Sequence, residues 1–314
     1  MKGKTQKITP YVFIAPHIIL FIIFLIIPTI IGICISFFDW DYLTPPKFIG
    51  FGNYAKLFNP KAIDHKQFLF GMQNTIKFVL VTVPINVVLS LVISTMLNDL
   101  KRGKNTIRAL FYFPVVLSVT CVATTWSFLG NKETGVINYY LTKFFNIEAL
   151  PWLTREPYLL SLLVIMTIWW TIGRNILFFA AGLTDIPPQL YEAAEMDGAN
   201  KLQQFIHVTI PGIMRVLLFV IVIETIAQFN VFGQMYLVAG TEINNIKSAR
   251  VALMVIRETA FKQFRMGMAS AMALILGLFI IIFSVIQFRL FMNPSDRIER
   301  GRVELIETKL KGGK

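Results

Sequence analysis

Residues 191–211 read YEAAEMDGANKLQQFIHVTIP, a polar island between two long apolar segments. Just ahead of it, Pro187-Pro188 suits a first helical turn, where a missing N–H costs little, and Asp185 can cap that turn. Gln189 to Asp197 continues as a helix. Gly198 fits the residue after a helix that must take a left-handed backbone, which turns the chain sharply. Ala199 to His207 then forms a second helix with Leu202, Phe205 and Ile206 on one side, and Thr209 and Pro211 can open the next apolar segment. The pattern predicts two short helices at a membrane surface. Ala193, Ala194, Gly198 and Ala199 are small enough to let another protein surface approach closely, while Glu192, Glu195 and Asp197 offer acid to a basic partner. Taken singly, these residues also fit a loop that is merely capped and solvated.

On either side of this loop the chain is strongly apolar. Of its 314 residues, 55% are hydrophobic and 15% charged, with 28 Phe; a soluble domain usually carries about 25% charged residues. Apolar stretches at 12–38, 75–98, 107–129, 158–182, 212–238 and 267–292 are each long enough to span a bilayer as a helix, which takes about 20 residues. The fold class is therefore all-α, a polytopic membrane protein with six transmembrane helices. Lys2, Lys4 and Lys7 precede the first stretch, but that stretch is too long for a secretory signal core and no small-x-small cleavage site follows it. It reads as an uncleaved span that Pro16 and Pro28 can kink or fray.

The connections 39–74, 130–157 and 239–266 are the longer ones, and 99–106 is a short basic turn. Segments 1–11, 99–108, 183–215 and 289–314 are denser in Lys and Arg than the rest, which places both termini in the cytoplasm. The domain plan is a cytoplasmic N-terminus (1–11), a transmembrane domain (12–292) containing the cytoplasmic loop 185–211, and a cytoplasmic tail (293–314). No segment is long enough to form a soluble domain with its own core. The net charge of +12 points to topology and lipid headgroups rather than nucleic acid. Cys34 and Cys121 both fall inside apolar segments and His17, His65 and His207 are scattered, so neither a disulfide framework nor a metal site is expected.

Polar residues inside the spans carry the remaining information. Arg174 and Glu224 lie at depths differing by roughly 6 Å at 1.5 Å per helical residue. An intramembrane charge costs at least about 2.5–3.5 kcal/mol on insertion scales, so both must face protein or water. Two readings stand: a surface lining the solute path, which would include Asn175, or an ion pair joining the fourth and fifth spans. Within the fifth span Glu224 and Gln228 share one face, and Asn230 and Gln234 another. With Phe229 and Phe232 they offer hydroxyl-binding and ring-packing groups, or interhelical hydrogen bonds. Trp126, Trp152, Trp169 and Trp170 read as interface anchors or bundle packing. No catalytic arrangement and no Gly-x-x-x-x-Gly-Lys-Ser/Thr phosphate loop is present, so the chain carries no ATPase site of its own.

The spacing Glu192-Ala193-Ala194, Gly198, Val208-Thr209-Ile210-Pro211 resembles the EAA loop of ABC importer permeases. Other segments match in the same order. These are Tyr11 to Pro28 with Ser36 to Trp40, Phe48-Ile49-Gly50-Phe51-Gly52-Asn53-Tyr54, Asn74-Thr75, Arg108 to Pro114, Gly182-Leu183 with Ile186-Pro187, and Phe229 with Phe232. Roughly residues 10–292 are similar to the carbohydrate importer permeases of the maltose and glycerol-phosphate type. The resemblance implies the type I ABC importer permease fold in a prokaryotic inner membrane and a second, homologous permease. It further implies two ATPase subunits that use ATP and Mg, and an extracellular solute-binding protein. It implies that Tyr191, Glu192, Ala193, Ala194, Asp197, Gly198 and Ala199 couple to the ATPase. The cargo it implies is a sugar or oligosaccharide, with glycerol phosphate or another acidic solute as the alternative and an ion-driven secondary transporter as the rival class. Arg174 departs from the family, which usually has an uncharged residue there.

Overall fold

The computed structural model describes residues 13–100, 102–239 and 249–291. The expected N-terminal segment 1–11, the first and last residues of the 12–292 domain, the tail 293–314 and part of the 239–266 connection lie outside these. The chain divides into two compact units, one of residues up to 71 with 252–278 and the other of 72–251 with the residues from 279 onward.

In the first unit, α1 (Phe13–Ile35) is an apolar helix with no buried residue in its most apolar window. Its turn at Ile22–Ile26 is widened to π geometry just before Pro28. Proline lacks the N–H that a regular helix would donate, so a widened turn ahead of it absorbs the mismatch. The expected span to residue 38 stops early because Phe38–Asp39 (β1) pairs antiparallel with Lys47–Phe48 (β2). The helix α2 (Gly52–Phe58) then presents Asn53, whose amide donates to the Ser36 and Phe38 carbonyls at 2.9 and 3.0 Å. The Tyr54 hydroxyl meets Ser36 Oγ at 2.7 Å. The Phe48–Tyr54 motif is thus a buttress that satisfies the backbone where α1 ends. Asp64 holds Arg265 through two hydrogen bonds, 2.6 and 2.9 Å, which raise the guanidinium pKa above its usual value.

The second span begins earlier than expected: residues 63–74 belong to α3 (Ile63–Asn98), not to a connection. The third span is broken. It consists of α4 (Lys104–Val116) and α5 (Val119–Leu129), bent by 96°. Pro114 lies in the last, 3-10 turn of α4, Leu117 and Ser118 are extended, and Ser118 Oγ caps the new helix by accepting from Cys121 N–H at 3.3 Å. The connection 130–157 carries α6 (Val136–Phe145), and α7 (Tyr158–Thr184) supplies the fourth span.

Beyond it come α8 (Pro188–Met196) and α9 (Lys201–Gly212), then α10 (Met214–Phe229) and α11 (Gly233–Ala239). The fifth span is therefore also interrupted, by a 73° bend between α9 and α10 and by the break after α10. Thr209 and Pro211 belong to α9 and do not open α10. The helices α12 (Ala252–Phe261) and α13 (Met266–Phe291) follow. Among the described residues, four helices are long and apolar enough to cross a membrane alone, and six spans result if each bent pair counts as one. Val79, Val83 and Val87 of α3, Phe179 and Leu183 of α7, and Val220 and Phe229 of α10 form the core of the second unit, with Phe279 and Phe283 packed against it.

A Cβ on Gly267 would lie 1.8 Å from the Phe38 carbonyl oxygen, whereas one on Gly277 of the same helix meets nothing within 4 Å. Gly267→Ala should therefore cost more than about 2 kcal/mol, the range of a forced backbone shift, and lower the melting temperature of the purified protein. Gly277→Ala should leave it unchanged or slightly raised.

Candidate functional site

The polar centre of the second unit is Glu224, which has no exposed surface. Its carboxylate accepts from Arg174 Nη2 at 2.7 Å and Asn175 Nδ2 at 3.2 Å on one oxygen. The other oxygen accepts from Asn86 Nδ2 at 2.9 Å and Gln228 Nε2 at 2.7 Å. Four donors from α3, α7 and α10 therefore replace the water that this carboxylate loses on burial. Without them its desolvation would be prohibitive. Asn86 Nδ2 also reaches Thr171 Oγ1 at 2.8 Å, and Thr171 passes its own hydrogen to the Thr167 carbonyl at 2.8 Å. The Arg174 side chain remains 33% exposed, so the pair has a buried end and an open end.

This cluster gathers Arg174, Asn175, Glu224 and Gln228 and leaves the other four expected path residues outside it. Phe229 is 1% exposed and packs edge-on against Phe279 and Phe283 at 5.5 Å. It is core, not a surface for solute. Asn230 and Gln234 do not share a helical face, because α10 ends at Phe229. Asn230 is exposed and bonds back to the Ile226 carbonyl at 2.8 Å, while Gln234 is buried in α11. Phe232 stacks on Tyr236 at 5.5 Å.

Asn86 was missed by sequence reasoning, although a signal was there. Thr82, Asn86, Ser90 and Ser94 recur every four residues and are each 0% exposed. That spacing draws a polar stripe down one face of α3.

The loop between α7 and α10 is the second site. Asp185 ends α7, and no side chain caps α8, so the expected Asp185 cap is absent; Pro187 is extended and Pro188 opens the helix. Tyr191, Glu192, Ala193 and Ala194 lie on α8, and Asp197, Gly198 and Ala199 form the turn. Gly198 has φ +79°, which an L side chain resists. Asn200 and Gln203 then make a reciprocal capping box for α9, each side chain bonding the other's backbone N–H at 2.9 and 2.8 Å. The Tyr191 hydroxyl meets Thr209 Oγ1 at 2.9 Å, clasping α8 to α9. Ala194, Asp197, Gly198, Ala199 and His207 border a cleft of about 290 Å³ at the turn.

Residues 62–293 match the family model of the binding-protein-dependent transport system inner membrane component. The chain belongs to this family. Its relatives include the probable ABC transporter permease protein YurN of Bacillus subtilis, 29% identical over 93% of this chain and 98% of that one. Another is the arabinooligosaccharides transport system permease protein AraP of Halalkalibacterium halodurans, 29% identical over 91% and 89%. The fold is also similar to a chain of the bacterial alginate ABC transporter solved with an alginate pentasaccharide-bound periplasmic protein. That likeness has a TM-score of 0.79 at 22% identity over 92% and 96% of the two chains. The permease thus has the all-α fold of ABC importer membrane subunits.

The donor inventory of Glu224 makes the pair asymmetric. Glu224→Gln leaves the guanidinium, one third exposed, without a counter-charge and puts an NH2 where two of the four donors need an acceptor. Arg174→Gln leaves the carboxylate with the amides of Asn86, Asn175 and Gln228, and should cost less. If the pair is structural, the double variant should retain more protein and transport than Glu224→Gln, as measured by membrane yield and uptake. Equal transport losses at normal protein levels would count against that reading.

Proposed function

We propose that this chain forms half of the translocation path of an ATP-driven importer for a sugar or oligosaccharide. A second, homologous permease supplies the other half, two separate ATPase subunits use ATP and Mg, and a soluble binding protein delivers the solute. The chain binds no cofactor itself, and both termini lie in the cytoplasm. The observation that carries the coupling role is the 188–212 hairpin. It is held by its own hydrogen bonds, yet it leaves Leu190, Met196, Leu202 and Ile206 exposed, with Met196 at 88%. Apolar groups on a polar loop outside the spans need a protein cover. Tyr191, Glu192, Ala193, Ala194, Asp197, Gly198 and Ala199 would form the ATPase contact. Small residues at the turn permit close approach, and the acids meet basic side chains.

The sugar reading is favoured over an acidic solute by the state of Arg174. Its charge is balanced by Glu224 at 2.7 Å, so the open end of Arg174 offers hydrogen-bond donors without net positive charge. Such a surface suits hydroxyls better than phosphate. The path would use the open end of Arg174, held from behind by the buried Asn175, Glu224 and Gln228, with Asn230 and Phe232 further along and Gln234 buried beside them.

Gly198→Val forces a β-branched residue into left-handed backbone and should open the hairpin. Together with Glu192→Ala, it should abolish co-purification of the ATPase while the chain stays in the membrane; undiminished co-purification would refute the coupling role. In proteoliposomes holding the full complex and its binding protein, neutral oligosaccharide should be taken up with ATP. Uptake of glycerol 3-phosphate alone would overturn the cargo assignment and leave the coupling role standing.

A further inference from the structure

The connection 130–157 is held tightly to the ends of the two helices it joins. Asn138 of α6 is 3% exposed. Its Nδ2 donates to the carbonyls of Asn131, Lys132 and Leu150 at 3.2, 3.3 and 3.0 Å. Its Oδ1 accepts from the Leu150 N–H and the Trp152 indole, both at 3.0 Å. Trp152 in turn meets the Tyr158 ring edge-on at 5.9 Å, and a Cβ on Gly130, the residue after α5, would lie 3.4 Å from the Trp152 Cβ. One buried amide therefore ties α6 to the end of α5 and the start of α7.

That attachment sets the depth of α6. The 27 residues of α7 extend about 40 Å at roughly 1.5 Å per residue, whereas a hydrocarbon core is about 30 Å thick. Tyr158 and the groups around it thus lie among headgroups, on the leaflet opposite the 188–212 hairpin at the other end of α7. On the side of α6 away from Asn138, Val136, Tyr139, Tyr140 and Phe144 are exposed, Phe144 at 67%. Tyr140 stacks on Phe144 at 5.8 Å and meets Tyr139 at 5.4 Å. Lys143 is the single charge within α6. Its Nζ donates to the Tyr139 hydroxyl at 3.1 Å and stands 5.3 Å from the centre of that ring.

An aromatic face of this kind marks an interaction surface. Protein interfaces are poor in lysine at their centre, and here Lys143 stands in the midst of the rings. Aromatic rings around a lysine whose stem can reach along them fit a helix lying in the plane of a bilayer surface. No carboxylate on α6 opposes lipid phosphates. The exposed side also continues from Phe128, 61% exposed in the last turn of α5. We propose that α6 is an interfacial anchor whose Val136–Tyr140–Phe144 face rests on lipid. The rings lie at the boundary of headgroup and acyl chain, and the Lys143 ammonium lies at the phosphates. This requires only that α5 and α7 belong to membrane spans, and is independent of the cargo and of the coupling role.

The test places a nitroxide on Tyr140→Cys, Phe144→Cys or Thr142→Cys of the full-length chain, with Cys34 and Cys121 replaced by serine, in the assembled complex in phosphatidylcholine liposomes. Thr142 is exposed and lies about 160° round the helix from both Tyr140 and Phe144. Labels at 140 and 144 should collide more often with oxygen, which concentrates in lipid, than with a water-soluble nickel chelate. The label at 142 should show the reverse. Labels at 140 and 144 that meet the nickel chelate as readily as the one at 142 place the face in water and overturn the anchor. Labels shielded from both reagents place the face under another protein and equally overturn it. Should the cysteine variants not assemble, the unmodified complex decides, in liposomes doped with a phosphatidylcholine that carries a diazirine near its headgroup. After illumination the peptide covering 136–145 should carry lipid, and its recovery without lipid is the negative result.

Discussion

A carboxylate with no access to water can exist only where protein groups replace its hydration. Glu224 meets that requirement with donors from α3, α7 and α10, two to each oxygen. Because these bonds are directional, they set how each helix is rotated about its own axis, which apolar contacts alone do not. With α10 so oriented, Phe229 turns toward Phe279 and Phe283, and the core of the second unit closes around it. One polar constraint thereby selects among packings that hydrophobic burial would rank as nearly equal.

The broken spans answer to a second constraint. Backbone groups freed at a break inside a bilayer must find partners within the protein. At the α4–α5 bend, Ser118 caps the new helix, and the Trp170 indole donates to the Leu117 carbonyl at 3.3 Å. Trp170 is therefore a backbone partner within the bundle. Where α9 gives way to α10, the Ile213 N–H still reaches the Thr209 carbonyl at 3.1 Å, and Ile213 itself is 1% exposed. These bends keep their hydrogen bonds while changing direction, so a long apolar sequence need not be one straight helix.

The two candidate sites are joined by short covalent paths. The hairpin of α8 and α9, held by the Tyr191–Thr209 bond, leads through the bend directly into α10, and Glu224 lies about 16 Å along at 1.5 Å per residue. Arg174 is similarly close to the other end of the loop, within α7. The hairpin thus has a helix on each side that runs to the polar cluster.

Much of the plan is local and could be read directly. The left-handed turn at Gly198, the proline start of α8 and the apolar lengths of α1, α3, α7 and α13 follow from backbone sterics and from the polarity of consecutive residues. The EAA spacing identified the family for the same reason, since a short hairpin has little freedom in where its glycine and small residues fall. Other features depended on groups distant in sequence. The amides that surround Glu224 come from its own helix and from positions 49 and 138 residues away, and the end of α10 at Phe229 turned an apparent polar face into separate environments. The 96° bend of α4–α5 depends on Trp170, far along the chain, to satisfy Leu117. Local polarity fixed which segments enter the membrane. Which of their polar groups meet, and where the helices break, was decided by tertiary pairing of groups such as the Glu224 carboxylate and the Leu117 carbonyl with donors from other helices.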